Sequence, residues 1–193
     1  MSTTQEKLEK EINDFREFVT DYAKSSYDDT KEVEPMALAL TIKDGKPGLA
    51  VLQGIAPLFL NEKTKDLIPA VFEKINQELK PLALALISES WVVKKDKNSD
   101  ILNPDGSYVD PSYRPSQDPD RKSAMIIMFE TYSKGAITSF EINDETKDLL
   151  EKEESPWEVK HSRKGRLSNL LQDHSKDFAD MIEKQIQESL EDE

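Results

Sequence analysis

The chain has 193 residues, enough for one domain with an ordinary core, and we expect a single domain over residues 1–193. Its 39 acidic and 26 basic residues give a formal net charge of -13, which argues against a nucleic-acid backbone or an anionic membrane as the partner, because both would repel the chain. The absence of cysteine excludes disulfides, thiolate metal sites and cysteine nucleophiles.

No targeting or membrane segment is evident in the sequence. Apolar runs stay well short of the roughly 20 residues that span a bilayer. The N-terminal residues lack the basic and apolar regions of a secretory signal. We therefore expect a soluble, intracellular protein without a membrane partner.

The first part of the chain predicts a helix followed by a β-hairpin. Apolar residues recur at helical spacing over residues 8–22, with charged residues between them. Residues 36–42 alternate larger and smaller apolar side chains, as a strand does. Asp44 and Gly45 suit a tight two-residue turn, so residues 49–53 should return as the partner strand.

A second helix and a third strand follow. The helix should begin near Asp66, because Pro69 is tolerated only in the first turn, and Pro81 prevents its continuation. Residues 82–93 form the third predicted strand, with leucines on one face and alanines on the other. The alanine stripes of the first and third strands indicate where a helix packs closely on the sheet.

The second half of the chain predicts two more strands and two more helices. Residues 124–129 are apolar on both faces, which is typical of a central strand, and residues 136–142 form the fifth strand. A short helix and then a long amphipathic helix over about 166–190 complete the chain. The order predicts an α+β fold, in which a single, mainly antiparallel sheet of about five strands packs with N-terminal, central and C-terminal amphipathic helices.

A long polar loop at about residues 96–120 separates the third and fourth predicted strands. Loops of this length inside a compact domain are usually functional or disordered, so any activity is expected here. We expect Asp118 to fold onto nearby backbone amides as an Asx turn and the arginines to pair with carboxylates. The candidate binding residues of the loop are Arg114, Asp118, Asp120 and Arg121.

Two interpretations of this loop remain open. In the first, its arginines and aspartates attach the loop to the edge of the sheet. In the second, residues 91–121 form an anchor surface for another protein together with Trp91, because Trp and Arg are favoured at binding hot spots.

A basic patch at residues 157–166 locally reverses the charge of the chain. The patch could receive an acidic partner or a phosphate near the start of the last helix. It could equally balance the acidic run at residues 144–154. Its candidate binding residues are Trp157, Arg163, Lys164 and Arg166.

Catalytic patterns are few. His174 lies on the apolar stripe of the last helix and His161 has positive neighbours, so neither predicts a serine triad. No glycine-rich phosphate-binding motif is present. The remaining enzymatic arrangement is a carboxylate pair, Glu89 and Glu130, at strand ends that flank the loop. Such a pair could share a proton or, with a loop aspartate, hold a divalent ion.

Three short motifs carry a resemblance. Ser88-Glu89-Ser90-Trp91 at a strand end, followed by Arg114-Pro115-Ser116 and by Asp118-Pro119-Asp120-Arg121 before an apolar strand, resembles a pattern in small uncharacterised proteins of bacteria and their phages. The resemblance implies no activity, cofactor or catalytic residue. It implies a bacterial or phage origin, and hence a location in the cytoplasm of a bacterial or phage-infected cell or in a virion.

The leading prediction is a non-catalytic interaction or accessory protein that binds another protein through the 91–121 loop, the 157–166 patch or both. The alternative is a small carboxylate- or metal-dependent hydrolase that uses Glu89, Glu130 and loop aspartates. No cofactor is expected. Because the apolar stripe of the 166–190 helix is long, we also predict a homo-oligomer assembled through this helix.

Overall fold

The computed structural model describes residues 4–43, 46–52, 54–59, 64, 67–93, 110, 112–113, 115–159 and 170. Most of the loop predicted at 96–120, and all of the helix predicted at 166–190 except Leu170, lie outside the described residues. The helices and strands of the described part are α1 (Thr4–Thr30), β1 (Met36–Lys43), β2 (Lys46–Leu52), α2 (Ile68–Leu79), β3 (Ala83–Val92), β4 (Lys122–Glu130), β5 (Lys134–Ile142), β6 (Leu149–Glu154) and β7 (Glu158–Val159).

All seven strands belong to one antiparallel sheet. The strand order is β2-β1-β3-β4-β5-β6, and β7 pairs with β5 on the same side as β6. The predicted α+β class with a mainly antiparallel sheet is therefore confirmed. The detail differs, because the described part holds more strands than the five expected and two of the three amphipathic helices expected to pack on the sheet.

One face of the sheet, called the α1 face, packs against α1. The residues of α1 that face the sheet repeat every four positions, as expected for one stripe of a helix, and all are buried. They meet apolar side chains from β1, β3, β4 and β5. The predicted N-terminal helix is thus confirmed, and it continues to Thr30, where Lys31 takes a positive φ of 58°. The stripe consists of Phe15, Val19, Ala23 and Tyr27.

The opposite face, called the α2 face, packs against α2 through the fully buried Ile68 and Phe72. The alanines of β1 lie on this face, and the alanines of β3 lie on the α1 face, so each alanine stripe meets a helix as predicted. Leu170 also packs here, and its carbonyl accepts a hydrogen bond of 2.6 Å from the Asn76 side chain.

The start and end of α2 follow from its two flanking residues. Pro69 occupies the first turn, where its missing N–H removes no helical hydrogen bond, so the prediction for this helix is confirmed. Lys80 ends the helix in the left-handed region with φ of 46°, and its N–H donates to the Asn76 carbonyl at 3.0 Å. Neither helix of the described part has an apolar stretch long enough to cross a membrane.

The short helix predicted after the fifth strand is wrong, because this segment forms strand β6. Its leucines, glutamates and lysine favour a helix in isolation, but pairing with β5 overrides that preference. A tight reversal makes the pairing possible. The Asn143 side chain accepts hydrogen bonds from the backbone N–H groups of Glu145 and Thr146 at 2.9 and 3.0 Å, and Lys147 has φ of 60°.

Candidate binding surface

Trp91 and Arg121 form an exposed corner where β3 ends and β4 begins. Trp91 lies on the α1 face, because it is four residues along β3 from Ile87 of that core, and 42% of it is exposed. The Arg121 guanidinium lies over the indole, with Cζ 4.9 Å from the ring centroid. This cation–π contact orients two residue types that are favoured at binding hot spots.

A buried carboxylate supports the corner. Asp118 is 7% exposed and accepts hydrogen bonds from the Asp120 backbone N–H at 2.8 Å and from the Tyr113 hydroxyl at 2.5 Å. The predicted Asx turn at Asp118 is therefore confirmed. The Asp118 carbonyl also accepts bonds from the backbone N–H and the guanidinium of Arg121, at 3.2 and 3.3 Å. We call Trp91, Asp118 and Arg121 the Trp91 corner.

The structure describes three of the four candidate binding residues of the loop. Asp118 forms a local turn immediately before β4, in which its side chain accepts from the Asp120 N–H and its carbonyl accepts from the Arg121 N–H. The guanidinium of Arg121, expected to pair with a carboxylate, instead lies on Trp91 and remains exposed. Asp120 is exposed as well, and Arg114 lies outside the described residues.

Glu89 lies beside the corner on the α1 face. Its carboxylate accepts a hydrogen bond from the buried hydroxyl of Ser123 on the neighbouring strand β4. A small cavity lies between the C-terminal half of α1 and the strands below it, lined by Tyr27 and Met125 among others. Its volume of about 10 Å³ is on the order of one water molecule, which is too small for a substrate.

Tyr27 is one of the residues that line this cavity. Burial raises the pKa of its hydroxyl above the ordinary value; the charge of Glu89 adds to this rise and that of Lys31 opposes it. The hydroxyl donates a hydrogen bond of 3.0 Å to the Lys147 carbonyl. Tyr27 therefore acts as a protonated donor that ties α1 to the turn before β6.

The predicted carboxylate pair does not form. Glu89 lies opposite Met125 on the α1 face, whereas Glu130 lies opposite Leu84 on the α2 face and is 6% exposed. Met125 and Glu130 are five positions apart along β4, which is roughly 17 Å along the strand. The described residues also contain no group of three or more histidine, aspartate or glutamate side chains that could hold a metal ion.

Trp157 packs against α1. Its indole N–H donates to Asn13 Oδ1 at 3.3 Å, and its ring meets Phe129 edge-on with centroids 6.5 Å apart. The Arg16 guanidinium lies 5.5 Å from the Phe129 centroid and 5.6 Å from the Trp157 centroid. Trp157, which lies between β6 and β7, therefore connects this part of the chain to α1. The other predicted residues of this patch, Arg163, Lys164 and Arg166, lie outside the described residues.

Arg16 also contacts polar atoms at the edge of the sheet where β5 and β6 lie. Its side chain is 13% exposed and donates to the Ser155 carbonyl at 3.0 Å and to the Thr138 hydroxyl at 3.3 Å. It also pairs with Glu154 at 3.4 Å. Burial alone would raise the pKa of Glu154, but the hydrogen bond from Lys152 and the charge of Arg16 hold that pKa below its ordinary value.

An exposed apolar strip was missed by the sequence predictions. Leu49 and Val51 of β2 lie on the α1 face, where they are 46% and 47% exposed. Phe18 and Tyr22 of α1 are 49% and 39% exposed, and their rings stack with centroids 6.3 Å apart. Alternation alone assigns Leu49 and Val51 to an inner face, and only the order of the described strands places them at the edge of the sheet.

Comparison of the chain with family models, with curated proteins and with solved structures finds no match. The geometry of this molecule is therefore the basis for inferring its function.

Proposed function

We propose that the protein is a non-catalytic binding protein that contacts another protein through the Trp91 corner. The observation that carries this proposal is the exposed indole of Trp91 with the Arg121 guanidinium stacked on it. The turn at Asp118 bonds the Arg121 guanidinium, which in turn lies on the Trp91 indole, so both groups are oriented before any partner arrives and binding costs little side-chain ordering.

The chemistry of the corner indicates what a partner should present. A guanidinium that lies on an aromatic ring keeps its N–H groups at the edge, where they can bond a carboxylate in two places. The exposed part of the indole offers apolar area next to it. We therefore expect a partner segment with a carboxylate adjacent to an apolar or aromatic side chain.

The hydrolase alternative receives no support from the carboxylates it requires. Glu89 and Glu130 lie on opposite faces of the sheet, so the two carboxylates do not converge on one proton or one ion. Trp157 is engaged with α1, which favours the Trp91 corner over the 157–166 patch as the contact surface.

The test is affinity capture of a partner by the tagged full-length chain from native lysate. A Trp91→Ala variant and an Arg121→Ala variant should each retain at least about tenfold less of the captured partner than the wild type, which corresponds to about 1.4 kcal/mol. Leu150→Ala and Lys74→Ala are the matched controls, because both residues are exposed and lie on other elements. Equal retention by all four variants, with unchanged circular dichroism, would overturn the proposal.

A further inference from the structure

We propose that β2 pairs edge to edge with β2 of a second copy of this chain, so that two sheets join across a twofold axis near Ala50. This inference does not depend on the Trp91 corner, which lies at the far end of β3. It rests on the backbone of β2, on its side chains and on its self-complementarity.

The outer edge of β2 pairs with no other strand among the residues that the structure describes, and its hydrogen-bonding groups there point outward. The Leu40 carbonyl accepts a hydrogen bond of 2.7 Å from the Leu82 N–H, so the polar groups of Leu40 point away from β2. Leu49 lies opposite Leu40, and its own N–H and carbonyl must then point outward. Val51 shares this orientation because it is two residues further along β2. Pro47 has the same orientation, because it lies two residues before Leu49. The N–H that proline lacks would therefore point outward, and no hydrogen bond to β1 is lost.

The side chains of β2 favour contact with another protein surface. Exposed edge strands are normally protected by charges, and β6 at the opposite edge has Glu153 and Lys152 among its charged residues. In β2 the protective residues Lys46 and Pro47 stand only at its start, and the exposed side chains that follow are Leu49 and Val51, both about half exposed. Neither β1 nor β2 contains an acidic residue, although the chain has 39 of them. The strong negative charge of the protein is therefore absent from this edge.

The flank of α1 adds apolar area beside β2. Arg16 and Lys24 of α1 contact β5 residues, which places that flank of the helix toward β5. Phe18 and Tyr22 lie on the other flank, and Tyr22 lines a cavity with Met36 of β1. The two exposed rings therefore border the same side of the α1 face as Leu49 and Val51.

A second copy of this chain is the partner that matches this edge. With a twofold axis at Ala50, Leu49 of one copy pairs with Val51 of the other, and the reverse pair forms by symmetry. Both pairs have outward N–H and carbonyl groups, so about four hydrogen bonds form and no donor is lost. An axis at Leu49 would instead set Val51 opposite Pro47, which has no N–H to donate.

Sedimentation equilibrium at micromolar concentration tests the proposal. The wild type should have twice the 22.0 kDa mass of one chain. Val51→Pro removes one outward N–H without removing a hydrogen bond to β1, and Val51→Glu places like charges near the axis, so both should shift the mass to that of one chain. Leu150→Glu is the charge-matched control on β6, with 44% exposure, and should leave the dimer unchanged. A wild type that sediments as one chain would overturn the proposal.

A crosslink tests the register. The chain has no cysteine, so Ala50→Cys introduces a single thiol. At a twofold axis through Ala50 the two Cα atoms are about 4.5 Å apart, within the range of a disulfide. Mild oxidation should therefore give a covalent dimer on a non-reducing gel, and Leu150→Cys under the same conditions should not. Equal crosslinking of the two variants would refute the β2 contact.

Discussion

Arg16 makes the contact that we expect to contribute most to joining α1 to the far edge of the sheet. Its guanidinium contacts both the Phe129 and the Trp157 ring and donates to Ser155 and Thr138, and the side chain is only 13% exposed. Partly desolvated cation–π contacts contribute about 1 to 2 kcal/mol, and a hydrogen bond from a charged group about 1.5 kcal/mol or more. The ion pair to the 43% exposed Glu154 adds little. We therefore predict that Arg16→Ala lowers the free energy of unfolding by about 3 kcal/mol.

Urea denaturation followed by circular dichroism measures this loss. With a slope of about 2 kcal/mol per M, the midpoint of Arg16→Ala should fall by about 1.5 M. Arg16→Lys keeps the charge but not the planar group, so most of the loss should persist. Lys74→Ala is the control, because its ion pair is 77% and 66% exposed and should contribute almost nothing. An Arg16→Ala midpoint equal to that of Lys74→Ala would refute the role assigned to this cluster.

Three further predictions concern polar side chains that bond across elements or within the turn at Asp118. Asp118→Ala should cost about 2 kcal/mol in urea denaturation and change the fluorescence of Trp91, because the turn that positions Arg121 loses its side-chain acceptor; unchanged fluorescence would contradict this. Tyr27→Phe should cost about 1 kcal/mol at neutral pH, because it removes the hydrogen bond to the Lys147 carbonyl. The pKa of Tyr27 is raised in the folded state, so only the wild type should lose this stability as the pH rises above 10.0. Glu154→Gln should be less stable than the wild type at neutral pH and equal to it in acid, because the lowered pKa stabilises the ionised form and that stability is lost below pH 4.5.

The elements that the sequence predicts correctly are those with strong local signals. The helical spacing in α1, the turn position of Pro69 and the apolar run of β4 each depend on residues close together in the chain. The Asx turn at Asp118 belongs to the same group, because its acceptor and donor are two residues apart. Local chemistry is enough to specify such features.

The errors come from contacts between distant residues. Segment β6 has helix-forming side chains and becomes a strand only because β5 lies beside it. Glu89 and Glu130 both stand near the ends of strands, but their faces depend on the pairing register, which the sequence does not reveal. The contact of Trp157 with Arg16 joins residues far apart in the chain, so the sequence could not predict it.

The contact between Arg16 and Ser155 spans 139 residues of sequence. During synthesis at about 5 to 20 residues per second, roughly 7 to 28 s pass between the appearance of the helix and the appearance of the strands that hold it. The buried stripe of α1 is covered by β1, β3, β4 and β5, so α1 is made before every strand that covers it and long before the contact with Ser155 can form. A chain truncated before β4 should therefore leave this apolar stripe open to chaperones or to aggregation.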